Sequence, residues 1–116
     1  MFRADMDGLP VEEKSGLAYA SRAKQIDPNG NEVIDMHACG HDLHTCTGLG
    51  VARLLAQEPK LGGRVRLLFQ PAEELAQGAI WMRDAGATKG LDALFGIHVV
   101  PNLSAGIVGI RRGCLT

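Results

Sequence analysis

At 116 residues and 46% apolar composition, the chain has the size of one compact domain with an ordinary globular core. Its 12 basic and 13 acidic residues are intermixed, for a formal charge of −1. That leaves no basic stripe for phosphates or anionic lipid and excludes nucleic acid and membrane surfaces as partners.

In chain order, Phe2-Arg3-Ala4-Asp5-Met6-Asp7 runs straight into a turn at Gly8-Leu9-Pro10. It reads as the end of a strand whose beginning is missing. From Val11 to about Ile34 the chain is polar and turn-rich, with Asp27-Pro28-Asn29-Gly30 the clearest turn, and reads as a surface excursion. Between Asp42 and Gln57, Leu43, Thr47, Gly50, Val51, Leu54 and Leu55 recur at helical spacing until Pro59 and Gly62-Gly63. This predicts a helix starting immediately after His41.

Arg64-Val65-Arg66-Leu67-Leu68-Phe69 predicts a strand buried on both faces, ending against Gln70-Pro71-Ala72-Glu73-Glu74. A second helix is predicted over Gln77 to Asp84, closed by Gly86. Ala93 to Val100 reads as a buried strand stopped by Pro101, and Gly106 to Arg111 as a final extended run. Strands alternating with helices predict an α/β fold, a mostly parallel sheet flanked by helices. Ligands of such sheets sit at the carboxyl ends of the strands.

No apolar run approaches the roughly 18–20 residues of a membrane span, and the first residues lack the pattern of a signal peptide. The three cysteines, Cys39, Cys46 and Cys114, are an odd, sparse set. They argue against a disulfide framework and for a reducing compartment, with cytoplasm as the default.

Three clusters fall where a parallel sheet would bind a ligand: the string from His37 to His44, the pair Glu73-Glu74, and His98. Cys39 and His41 flank one glycine, which lets two metal donors turn toward one point. The ordinary alternatives are a small buried hydrophobe and a helix-start residue. His37, His41 and His44 together favour a metal, with Asp42 beside them as a carboxylate able to orient an imidazole.

Glu73 and Glu74 are adjacent like charges that a cation would compensate. Alternatively they are a solvated helix N-terminus. In the functional reading one carboxylate binds metal and the other takes a proton from water. His98 alone would be a core histidine. Asp5 and Asp7 alternate across Met6 toward one side of a strand end, as turn residues or as supports for metal ligands.

The strings Arg3 to Pro10, His37 to Thr45, Phe69 to Glu74 and Gly96-Ile97-His98 resemble four motifs of one family, in its order and at its spacing. It is the metallopeptidase-related amidohydrolase family of hippurate hydrolases, N-acyl-amino-acid deacylases and plant auxin-conjugate hydrolases. The resemblance implies a dinuclear site for two divalent metal ions, zinc or manganese first, then cobalt or nickel.

It further implies that Cys39, His41, Glu74 and His98 are metal ligands, with the Cys39 thiolate able to bridge, and that Glu73 is the general base. Asp7 would hold a ligand from behind, with Asp5, Asp42 and His44 as further supports. The implied reaction is hydrolysis of the amide of an N-acyl amino acid or related small amide by a metal-activated water.

Members of the family are far longer and dimerise through a lid domain inserted after the region that ends here at Arg112-Gly113. They also carry a last metal-binding histidine near the carboxyl terminus. Residues 1–116 are therefore expected to be a partial catalytic domain, a fragment weakly active or inactive by itself. Gly8 stands where the family more typically has alanine.

Two other readings compete. One is an inactive module that holds metal or pairs with another subunit. The other is a thiol hydrolase with Cys39 as nucleophile.

Overall fold

The computed structural model of the protein describes residues 1–110. Along the chain run β1 (Phe2–Asp5), β2 (Ala23–Ile26), β3 (Glu32–Asp35), α1 (His41–Ala56), β4 (Leu67–Gln70), α2 (Gly78–Asp84) and β5 (Phe95–Gly96). The main sheet has the order β4-β1-β5 and both of its pairings are parallel. Phe2 to Asp5 align with Leu67 to Gln70, and Phe2-Arg3 with Phe95-Gly96. The expected α/β architecture with a parallel sheet is the one observed.

The segment expected to be a surface excursion is a β-hairpin. Strands β2 and β3 pair antiparallel, Ala23 with Asp35 through Ile26 with Glu32. The Asp27-Pro28-Asn29-Gly30 turn closes it, with Asp27 Oδ1 accepting the Asn29 and Asn31 amides at 2.9 and 2.8 Å. A bridge between Leu9 and Met36 ties the hairpin to the end of β1 and delivers the chain to His37.

Helix α1 starts at His41, one residue before the predicted position, because Gly40 takes a left-handed φ of 79° that turns the chain into the helix. Its inward face is not the predicted one. His41, His44 and Gly48 are buried, Val51 and Leu55 half-buried, whereas Leu43 and Leu54 face outward at 54% and 69% exposure. Close approach explains the inversion. A Cβ at Gly48 would lie 3.0 Å from the Phe69 ring and 3.3 Å from Ala4 Cβ, so the sheet has no room for a row of leucines there.

Two predicted strands need correction, and the final extended run is described only in part. The one expected over Arg64 to Phe69 is β4, Leu67–Gln70, and lies at the border of the described sheet rather than buried on both faces. The one expected over Ala93 to Val100 is reduced to Phe95–Gly96, with Phe95 66% exposed, because only its β1 side is paired. Gly106 to Ile110 forms no strand, and Arg111 and Cys114 lie outside the described residues.

Helix α2 begins one residue after the predicted start. Buried Gly78 stands against the Pro71 carbonyl, which an added Cβ would approach to 1.6 Å. Among the described residues Ala4, 2% exposed, is the buried apolar core, and no helix is long and apolar enough to cross a membrane.

Candidate metal centre

The carboxyl ends of β1, β4 and β5 converge with the amino end of α1, which places Asp5, Asp7, Glu73-Glu74, His98 and the Cys39–His44 string around one point. Histidines at the first and fourth positions of α1 share one helix face, and their side chains lean toward its amino end. The His41 and His44 rings stack at 5.4 Å.

Asp7 organises His41. The ring Nδ1 lies 3.0 Å from Asp7 Oδ1 and 3.1 Å from its carbonyl oxygen. Both partners can only accept, so Nδ1 carries the proton and Nε2 presents a lone pair. That Nε2 is buried and without a hydrogen-bond partner. It faces Glu73 Oε2 and Glu74 Oε1, each at 3.8 Å. The other Asp7 oxygen, Oδ2, accepts the Glu74 amide at 3.1 Å, so one carboxylate positions the imidazole and the acidic pair together.

His98 is arranged in the same way. Its Nδ1 lies 2.7 Å from the Val99 carbonyl, and its Nε2 is hydrogen-bonded with Cys39 Sγ at 3.4 Å. One ligand atom each from Cys39, His41 and His98 lies within 4.8 Å of the others, as do those of His41, Glu73 and Glu74. Donors around a tetrahedral ion with bonds of 2.0–2.3 Å are about 3.3–3.8 Å apart, and the Cys39–His98 distance of 3.4 Å and the His41–Glu73 and His41–Glu74 distances of 3.8 Å fall in that range. Four carboxylates with one nearby arginine make a site that favours cations. The Cys39 thiol is accordingly pushed above its ordinary pKa, first by burial and then by the hydrogen bond and charge of Glu74.

Asp5, His41 and His44 also approach one another, but that set does not fit an ion. His44 Nδ1 donates to Asp5 Oδ1, and its Nε2 accepts the Val99 amide at 2.9 Å, so neither ring nitrogen is free. Asp5 is fully buried and paired with Arg3 Nη1 at 2.6 Å. Burial raises its pKa, but the His44 hydrogen bond and the Arg3 charge outweigh burial and hold the carboxyl below its ordinary value.

Of the residues expected from the sequence, the structure brings Cys39, His41, Glu73, Glu74 and His98 together, with Asp5, Asp7 and His44 against them. Asp42 is not brought there. It is exposed on the first turn of α1, a helical step away from the inward face, and is absent from the cluster's hydrogen bonds. His37 donates to the Asp7 carbonyl at 3.2 Å.

Two contributors had no role in the sequence reading. Arg3 bridges Asp5 and Gln70, with Nε 2.8 Å from Gln70 Oε1, and its place beside Asp5 in the first motif was the available signal. Val99 rests its side chain on Gly40, where an added Cβ would meet Cγ2 at 2.5 Å. Nothing local in the sequence announces that contact.

The Glu pair sits in a constrained turn. Ala72 and Ala76, on either side of it, have φ of 48° and 53°. The amides of Gln77 and Gly78 both point to the Ala72 carbonyl. Non-glycine residues in this region cost of order 1–3 kcal/mol each, so the surrounding structure holds the turn against its local preference.

The profile of peptidase family M20/M25/M40 matches residues 1–113. A probable hydrolase of Synechocystis is 52% identical over 115 residues, spanning 98% of this chain and 27% of the relative. An N-acetyl-L-cysteine deacetylase of Bacillus subtilis is 48% identical over 97% of this chain and 25% of its own length. An IAA-amino acid hydrolase of Arabidopsis thaliana is 42% identical over 97% and 23%. A crystal structure of a dinuclear metal binding M20 peptidase from Bacillus subtilis superposes with a TM-score of 0.85 at 42% identity, covering 97% of this chain and 29% of that one. The chain thus spans about a quarter of the length of these relatives.

Proposed function

The chain belongs to peptidase family M20/M25/M40, a hydrolase family, and from that premise we propose that it forms the metal-binding part of an amidohydrolase acting on N-acyl amino acids or related small amides. One observation carries the reading: His41 Nε2 is buried and unpartnered, its Nδ1 pinned by Asp7, and faces Glu73 and Glu74 at 3.8 Å. An orphaned buried nitrogen costs about 1–3 kcal/mol, a penalty removed by a cation among these donors.

In this reading Cys39, His41, Glu74 and His98 hold two divalent ions. Zinc or manganese suit the mixed thiolate, imidazole and carboxylate donors first, with cobalt or nickel next. When bound, the ions supply Lewis-acid polarisation of water and of the scissile carbonyl. Glu73 accepts the proton of the attacking water and delivers it to the departing amine nitrogen, so that amide and water become carboxylic acid and amine. Asp7 keeps His41 in the tautomer that exposes Nε2 and fixes the Glu74 backbone.

In this reading residues 1–116 form the metal-binding portion, about a quarter of the length of the relatives they match. The sparse buried core, Ala4 among the described residues, favours a piece that works packed against further polypeptide, with little turnover alone. Exchanging Glu73 for Gln tests the assignment. Metal content by elemental analysis should stay at the parent level while hydrolysis of an N-acyl amino acid falls by at least about a hundredfold. Unchanged turnover would refute Glu73 as base, and turnover surviving a chelator would point to Cys39 as a nucleophile instead.

A further inference from the structure

Besides the edge-to-face approach of the His41 and His98 rings at 6.0 Å, the amino end of α1 meets the His98 segment through His44 and Val99, neither of them a proposed ligand. Buried His44 spans the gap, with Nδ1 donating to Asp5 Oδ1 and Nε2 accepting the Val99 amide at 2.9 Å. Asp5 is held in turn by Arg3 at 2.6 Å, and the Thr45 hydroxyl donates to its carbonyl at 3.2 Å. On the other side of the segment the Val99 side chain occupies the notch above Gly40, which must stay without a Cβ. The His44 and His98 rings meet edge to face at 4.7 Å.

Strand β5 ends at Gly96, and Ile97 and His98 lie beyond its last ladder bond, both exposed. The sheet therefore does not orient His98. The protons follow from the partners: a carboxylate oxygen accepts at Nδ1 and an amide donates at Nε2, so His44 is neutral with its proton on Nδ1.

We infer that His44 is the positioning residue for His98. Anchored by buried Asp5, it seats the Val99 amide and so turns His98 Nε2 toward Cys39. The inference rests on the proposed role of His98 as a ligand and adds to it the part that aims the imidazole. A histidine is suited to this because it donates and accepts along one rigid ring.

Two substitutions split the two bonds. Asn places its amide near the position of Nδ1, so His44→Asn keeps a donor to Asp5 and loses the acceptor for Val99. Gln reaches the position of Nε2, so His44→Gln keeps that acceptor. The chain and its variants are titrated with Co2+, whose visible absorption reports the thiolate and imidazole donors, and amide hydrogen exchange of Val99 is followed without metal.

The expected result is that His44→Asn has the cobalt spectrum of His98→Ala and binds Co2+ about 10–100-fold more weakly than the parent, with Val99 exchange accelerated. His44→Gln should keep the parental spectrum and Val99 protection, even where its melting temperature is lower. Parental cobalt binding and Val99 protection in His44→Asn would overturn the inference. Absent cobalt absorption in the parent chain would count against the ligand assignment instead. The Val99 exchange rates would still decide whether His44 holds the segment.

Discussion

Asp7 and His41 are joined twice, the imidazole Nδ1 lying 3.0 Å from the Asp7 carboxylate and 3.1 Å from its carbonyl oxygen. The same carboxylate receives the Glu74 amide, so losing it frees the ring and the backbone of two proposed ligands, His41 and Glu74, at once. Asp7→Ala should weaken divalent-metal binding by about 10–100-fold, the usual effect of removing a support behind a ligating histidine. Competition against a chromophoric chelator measures it, and an unchanged affinity would refute the supporting role.

Asp5 sets the response to acid. Its folded pKa lies below the unfolded value of about 3.9, so its contribution is complete above that value and disappears as pH falls through the folded one. Melting temperatures of the parent should decline below about pH 4, and Asp5→Asn should be less stable at neutral pH with a flatter acid limb. Parallel pH curves for the two proteins would contradict this.

Gly78 leaves the Glu73-Glu74 turn no freedom to accept a side chain. An added Cβ would stand 1.6 Å from the Pro71 carbonyl, a backbone atom that cannot swing aside. Gly78→Ala should destabilise by about 3 kcal/mol or more and reduce metal content with it, measured by thermal denaturation and elemental analysis. Parental stability would mean that the turn is looser than its geometry implies.

Burial, and then the hydrogen bond and charge of Glu74, hold the Cys39 thiol above its ordinary pKa, so without metal it should alkylate slowly at neutral pH and faster as pH rises. A divalent ion should protect it further, while exposed Cys46 keeps its rate. Peptide mapping after iodoacetamide treatment at several pH values follows both. Equal labelling of Cys39 with and without zinc would remove it from the ligand set.

Local chemistry made much of the site readable from the chain. Gly40 marked the point where two donors could turn together, Asp27-Pro28-Asn29-Gly30 marked a turn that proved to close a hairpin, and the His, Cys and Glu residues stood out as donors. Residues i and i+2 on an extended segment share a side, the basis for expecting Asp5 and Asp7 on one side, and both carboxylates lie near the His41 ring. Asp42 failed the same kind of reading, because on a helix the next residue turns about 100° away from His41.

What the amino-acid sequence determined by itself was the alternation of strand and helix and the set of donor residues, since both follow from short-range periodicity and side-chain chemistry. Only the tertiary structure decided which face of α1 turns inward, because Gly48 against Phe69 and Ala4 is a contact between distant segments. The same holds for the short reach of β5, limited by pairing on one side, and for the two bonds of His44 to Asp5 and Val99, 39 and 55 residues away along the chain. Hydrogen-bond partners that far apart leave no trace in local pattern, so the roles of otherwise similar histidines emerge only when the chain has folded.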